Sequence, residues 1–368
     1  NLSQLPFFIN NYFIKIIVMF SWITMLYIVF IKYMKIINLK KLTKIIFLIF
    51  VFNIFILLMQ LLTSKNYIKS NFVYPINLSV FVLIVSYFSG QFITKVSIEK
   101  LINSFIYSSF LVGVYIYIDT FRGHDWSDSM AYLYTSKNSI STIFVISILC
   151  ILLYWKNKNI VLKYSIFLFF IALVFMMKSR TSLLGLFTCG IYFLNFIVKN
   201  RRKKFVYIIV LIGVISLIIL NNNLYDIIVN KVIFNNRIGS DLNTLSSGRI
   251  DHFKIFSENF KFNPFFGNGG LYLESFPLAI LISYGIVGSL SIFILSISPL
   301  IIGFTHRRDY KYIEVRTLMI LLNILLLING LFEELSPFGP GVKCYLLWMI
   351  TGIYLGLKVK KERIKINE

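Results

Sequence analysis

Eleven apolar runs, 16 to 29 residues long, divide most of this chain, and that pattern constrains its fold more than any other feature. They cover residues 13–31, 45–63, 76–94, 101–118, 139–155, 160–177, 181–198, 205–220, 276–304, 317–332 and 342–357. A helix needs about 20 consecutive apolar residues to cross the hydrocarbon core of a bilayer, so each run suffices for one crossing. The expected fold class is therefore an all-α polytopic membrane protein with about eleven transmembrane helices. The run 276–304 has length to spare, and Gly285, Gly288 or Pro299 offers it a place to tilt or break. A hydrophobic fraction of 58% and a mean hydropathy of +0.79 agree, both far above a soluble domain. The first run is too long for a cleavable signal peptide and leads directly into a basic loop. The chain opens on Asn1, and an external N-terminus with an odd span count leaves room for a twelfth helix upstream.

Lys and Arg outnumber Asp and Glu by 37 to 15, which raises the question of nucleic acid. The basic residues lie between apolar runs instead of along one face or tail, so they read as topology signals and no nucleic-acid partner is expected. Placing Lys199, Arg201, Arg202, Lys203 and Lys204 in the cytoplasm and alternating outward puts 24 of the 37 basic residues inside. Every inside segment shares the bias. No repeat or appended soluble domain is evident, so residues 1–368 form one membrane domain with residues 221–275 as a large extracytoplasmic loop. Cys150, Cys189 and Cys344 sit inside apolar runs and read as small hydrophobes.

Polar residues without a topological role mark the chemistry, and the outer face has four groups of them. The first holds Arg122, His124, Asp125, Asp128, Lys137 and Asn138; a solvated loop accounts for it better than a metal cluster does. The second is the short turn Lys178-Ser179-Arg180-Thr181, where Arg180 either snorkels to lipid phosphates or grips a phosphate-bearing substrate. The third is the long loop. There Ser247 is an expected N-cap, and apolar residues at 250, 253, 256 and 260 give an amphipathic helix on the membrane surface, with Arg249 and His252 in its first turns. Gly267-Asn268-Gly269-Gly270 follows, a weak phosphate-loop signal. Glu274 comes next, held at a low-dielectric boundary where a carboxylate has the setting of a general base. The fourth group is Glu333-Glu334. No metal-binding or Asp-x-Asp motif stands out, so phosphate chemistry without a metal or other cofactor is expected.

Three of these stretches, in this order, resemble the O-antigen polymerase and ligase family, the Wzy-type polymerases and their lipid A–core ligase relatives. Lys178-Ser179-Arg180-Thr181-Ser182-Leu183-Leu184-Gly185 looks like the family's external signature opening a span. Ser247-Gly248-Arg249 with the amphipathic helix and Asn263-Pro264-Phe265-Phe266-Gly267-Asn268-Gly269 looks like its large-loop signature. Glu274-Ser275 followed by Gly285-Ile286-Val287-Gly288 matches its re-entry into the next span. The ligases usually carry His-Asn where this chain has Glu274-Ser275, a departure that favours a polymerase. Lys137-Asn138 and Glu333 fit the pattern more loosely.

The resemblance implies a GT-C-like, metal-independent, inverting glycosyltransferase of the bacterial cytoplasmic membrane, active on its extracytoplasmic face. It would join undecaprenyl-pyrophosphate-linked oligosaccharide repeat units into a capsular, O-antigen or exopolysaccharide chain. Membrane lipid, a chain-length regulator and a flippase of the same pathway are the other expected partners. Arg180 and Arg249 would neutralise pyrophosphate and Glu274 would act on the acceptor hydroxyl, these three being the expected catalytic residues. Arg122, Lys137, Asn138, His252 and Glu333 are the expected substrate-binding set. The rivals are ligase-type transfer and a lipid-linked oligosaccharide flippase or transporter. Transporters usually show internal repeats and midplane polar sites, whereas here the charge gathers at the outer face.

Overall fold

The computed structural model describes residues 11–33, 41–127, 137–155, 158–198, 201–233, 241, 243, 246, 248–305, 312–339 and 341–367. Among them every regular element is helical. In chain order these are α1 (Tyr12–Tyr33), α2 (Thr43–Leu62), α3 (Val73–Gly90), α4 (Lys95–Thr120), α5 (Lys137–Tyr154) and α6 (Ile160–Met176). Then come α7 (Arg180–Tyr192, extended by a π-turn Phe193–Ile197), α8 (Arg201–Leu220, followed by a short helix Asn222–Tyr225 and a π-helical stretch Asp226–Ile233), α9 (Arg249–Phe260), α10 (Phe276–Thr305), α11 (Ile313–Gly330) and α12 (Val342–Asn367). Each of the eleven apolar runs coincides with one of these helices, and α9 is the amphipathic helix of the long loop. Seven helices among the described residues are long and apolar enough to cross a membrane: α2, α3, α4, α5, α10, α11 and α12. The chain is a multi-pass membrane protein.

Residues 139–151 and Leu153 of α5 are buried, which makes it the central helix of the bundle. At the periphery, Phe47, Phe50, Leu57 and Leu61 of α2 are exposed, where lipid rather than protein covers them. Between helices, apolar packing gains little over lipid contact, so close backbone approach and polar pairs do the holding. The α3–α12 seam shows this most clearly. A Cβ on Gly352 would sit 2.3 Å from the Leu83 carbonyl oxygen, and one on Gly356 would sit 2.3 Å from that of Tyr87. Further out, Asn53 of α2 and Asn77 of α3 exchange amide hydrogen bonds of 3.0 and 3.1 Å.

The longest apolar helix, α10, is broken at Gly285 (φ 62°, ψ −172°), one of the three positions its sequence offered. A break inside an apolar span strands backbone donors and acceptors, and these must find partners within the protein. Residues 264–269 supply them. Asn268 and Gly269 N–H groups donate to the Ile282 and Ser283 carbonyls at 2.8 and 2.9 Å, and the Ile286 and Val287 N–H groups donate to Pro264 and Phe265 at 2.9 and 3.0 Å. The approach is backbone to backbone: a Cβ on Gly267 would meet Ser283 and Gly285 at 2.5 Å. The glycine-rich stretch after α9 is thus a plug for a broken helix, and its weak phosphate-loop signal is corrected accordingly.

The bundle sorts its ends. The 63–72 connection, the 119–127 turn, the N-termini of α5, α7, α10 and α12 and the C-terminus of α11 share one end. At the opposite end Lys360 donates to the Ile93 carbonyl at 3.1 Å, and Lys95 lies 3.7 Å from Glu314.

Candidate active site

The start of α9 builds the first half of the site. Gly248, in a left-handed conformation (φ 80°), is the N-cap, and its N–H donates to the Asn243 carbonyl at 2.8 Å. This corrects the expectation of Ser247 as the cap; Ser247 itself lies outside the described residues. Arg249 is the first helical residue and turns back, donating from Nη1 to the Ser246 carbonyl at 3.0 Å. Its Nη2 lies 3.9 Å from Glu274 Oε2, and its guanidinium carbon sits 5.0 Å from the centre of the Phe332 ring. Both side chains are withdrawn from solvent, with exposures of 22% for Arg249 and 36% for Glu274, so the pair is less screened than a surface ion pair. Burial pulls the Arg249 pKa down from its ordinary value, while Glu274, Glu333 and Tyr272 act to raise it.

The site carries unmet hydrogen-bonding capacity. Arg249 Nε, His252 Nδ1 and Glu333 Oε1 are buried without a hydrogen-bond partner. Buried polar atoms are nearly always paired, so these three, one of them in the guanidinium itself, have capacity to meet a polar ligand. His252 also faces the ring of Tyr272, centre to centre 6.1 Å. Glu333 is held by its other oxygen in an ion pair with Lys343, a lysine only 1% exposed.

The amphipathic character of α9 is only partly as expected. Ile250 and Phe253 are exposed, but Phe256 packs against the core and stacks on Phe260 at 4.9 Å.

A polar network joins the site to α5 and α7. Ser179 caps α7, accepting from Ser182 N–H, and its hydroxyl donates to Asn138 Oδ1 at 2.8 Å. Asn329 of α11 donates to the Thr142 hydroxyl at 2.6 Å, which lies 3.2 Å from that of Ser182. Lower down, the place of a Gly185 Cβ meets Leu325, and the Cys189 thiol donates to the Leu321 carbonyl. This antiparallel register sets Arg180 level with the last turn of α11, immediately before Phe332 and Glu333.

The structure therefore gathers Arg249, Glu274, His252 and Glu333 in one place and puts Arg180 and Asn138 at the same end of the bundle. Asn138 acts there as a brace between α5 and α7. Arg122 lies exposed in the 119–127 turn, and Lys137, at the start of α5, is tied to that turn by its Nζ, which donates to the Ser127 carbonyl at 2.5 Å. In that turn Trp126 Nε1 donates to Asp119 at 3.1 Å, and Asp125 accepts from the Ser127 hydroxyl and N–H, which lower its pKa. Asp128 lies outside the described residues. Sequence reasoning overlooked Tyr272, Phe332 and Lys343. Lys343 carried a signal, since a basic residue on the outward side runs against the charge bias.

Residues 165–294 match the family model described as O-antigen ligase, a stretch from within α6 to within α10 that contains Arg180, Arg249 and Glu274. A comparison with curated proteins gives no match. Over that segment, about a third of its length, the chain is similar to the O-antigen ligase family, whose members are glycan-transferring membrane enzymes.

Proposed function

We propose that the protein is a polysaccharide polymerase. It would join oligosaccharide repeat units carried on undecaprenyl pyrophosphate, on the outer face of the bacterial cytoplasmic membrane. The observation that carries this reading is the half-buried Arg249–Glu274 pair, with Nη2 and Oε2 3.9 Å apart beside three unpartnered polar atoms. A guanidinium suits a pyrophosphate and a carboxylate suits a hydroxyl proton, so the pair holds both functions the transfer needs.

In the reaction, the acceptor hydroxyl oxygen forms a bond to the donor's anomeric carbon from the face opposite the leaving group. The bond from that carbon to the pyrophosphate oxygen breaks, and the configuration inverts. The hydroxyl proton passes to Glu274, and the lipid pyrophosphate leaves with its charge met by Arg249 and Arg180. Pyrophosphate binding competes with Glu274 for the Arg249 guanidinium. The substrate's arrival thereby releases the carboxylate to take the proton.

The acidic Glu274-Ser275 pair, where ligases usually carry His-Asn, favours the polymerase over ligase-type transfer. The test is incubation of the purified protein with a lipid-linked repeat unit. A ladder of polymers that disappears in Arg249→Ala and Glu274→Gln supports the polymerase. Transfer only to a lipid A–core acceptor would assign the ligase reaction, and translocation of intact lipid across vesicles would assign a transporter.

A further inference from the structure

Next to the Arg249–Glu274 pair lies a cavity of about 370 Å³ that the reaction above does not use. Its wall joins the 63–72 connection to the segment following the α10 plug, and Tyr272 belongs to both the cavity and the candidate active site. The volume falls within the roughly 300–1,000 Å³ typical of small-ligand sites.

The lining has a definite chemistry. Lys65, Lys69, Asn71, Phe72, Tyr272 and Glu334 face it. An exposed aromatic ring, that of Tyr272, and an amide beside a carboxyl are what a sugar ring meets well: a flat apolar face for its C–H side, and paired donors and acceptors for its hydroxyls. The charges do not cancel. Lys65 Nζ is bonded to a neutral group, the Asn268 side-chain oxygen, at 2.9 Å. Glu334 is buried enough that its pKa is raised to about 7, with the Asn71 side chain hydrogen-bonded to it, so near neutral pH it offsets only part of the lysine charge. The cavity keeps a net positive character.

We propose that this cavity is the acceptor subsite, and that it holds a saccharide unit bearing an anionic substituent, a carboxylate or a phosphate. This rests on the glycan-transfer reading of the neighbouring site. Lys65 and Lys69 meet the anion, Tyr272 packs on the ring, and Asn71 with Glu334 bonds its hydroxyls. A sugar so held reaches the Arg249–Glu274 pair past Tyr272, which orders the acceptor on one side and the pyrophosphate on the other.

Saturation-transfer NMR on the full chain in phosphatidylcholine nanodiscs tests this directly. The probes are glucuronic acid, galacturonic acid, N-acetylneuraminic acid and glucose 1-phosphate, each against glucose and galactose. The expected result is transfer to at least one acidic probe and none to the neutral sugars. That signal should fall at least tenfold in Lys65→Gln/Lys69→Gln, return in Lys65→Arg/Lys69→Arg, and persist in Arg249→Ala. Nanodiscs doped with phosphatidylglycerol should leave it unchanged; competition by that lipid would mean the lysines serve headgroups and would overturn the proposal. Equal response to neutral and acidic probes, or no response to any of the four, would overturn it as well. Acidic-probe binding in a protein that makes no glycan product would contradict the transfer reading and leave the binding site standing.

Discussion

The α3–α12 seam and the broken helix α10 both depend on glycines that bring backbone against backbone, yet they differ in what becomes of the helical hydrogen bonds. At the seam, Gly352 and Gly356 lie against intact helical turns whose backbone hydrogen bonds remain within α3. At the break, Gly267 and Gly285 let a loop enter a gap in a helix and take over its stranded hydrogen bonds. Beside that loop stand Arg249, His252 and Glu333, each with a buried atom lacking a partner. The comparison teaches a division of labour. At the seam the glycines let two intact helices touch and make a frame; at the break they let a loop into a helix, and the backbone strain lies there, as strain does at functional sites.

The comparison breaks most visibly at Gly285. Its φ and ψ are open to glycine almost alone, and a Cβ there would lie 2.3 Å from the Phe265 carbonyl. Gly285→Val should abolish recovery of folded protein, measured as the monodisperse fraction in detergent extracts. Gly352→Leu should lower thermal stability and activity together, because it parts the seam without touching the site.

Arg249→Ala separates the two regions. A charge pair near 4 Å is worth roughly 4 kcal/mol at an effective dielectric near 20. Transfer should therefore fall by up to about a thousandfold, at 1.36 kcal/mol per decade, while the melting temperature stays close to wild type. A parallel fall in both would return Arg249 to the frame.

Smaller effects sharpen the picture. Asn53→Ala leaves Asn77 with one neighbour fewer and should cost about 1 kcal/mol, read as a modest drop in melting temperature with activity retained. Glu334 gives a pH signature. Its carboxyl titrates at about 7 in the folded protein and near 4.5 in the unfolded chain, so the folded state holds more protons between those values. The stability this gives is complete below pH 4.5 and is lost as pH rises through 7. Melting temperature should decline across that window, and Glu334→Gln should flatten the decline.

Much of this architecture was legible in the chain because a bilayer demands long apolar runs, and a run needs no partner to be recognised. The break in α10 was visible as a choice among Gly285, Gly288 and Pro299; its location at Gly285 depends on a loop that arrives from some twenty residues earlier. Arg249 stood out at the start of the loop helix and Glu274 as a charge beside an apolar span. Their pairing did not, nor did Phe332 beneath the guanidinium, because a contact between residues so far apart in sequence leaves no local pattern. The cavity was least legible. Lys65, Tyr272 and Glu334 come from three separate connections, and of these three only Glu334 stood out in the chain, as part of the outer Glu333-Glu334 pair.

Binding of undecaprenyl pyrophosphate to the wild type, Arg249→Ala and Glu274→Gln, measured by titration in nanodiscs, tests the central claim most directly. If Arg249 exchanges Glu274 for pyrophosphate, Arg249→Ala should bind at least tenfold more weakly, while Glu274→Gln, freed of the competing carboxylate, should bind as tightly as wild type or more so. Unchanged binding by Arg249→Ala, or equal weakening in both variants, would contradict the account.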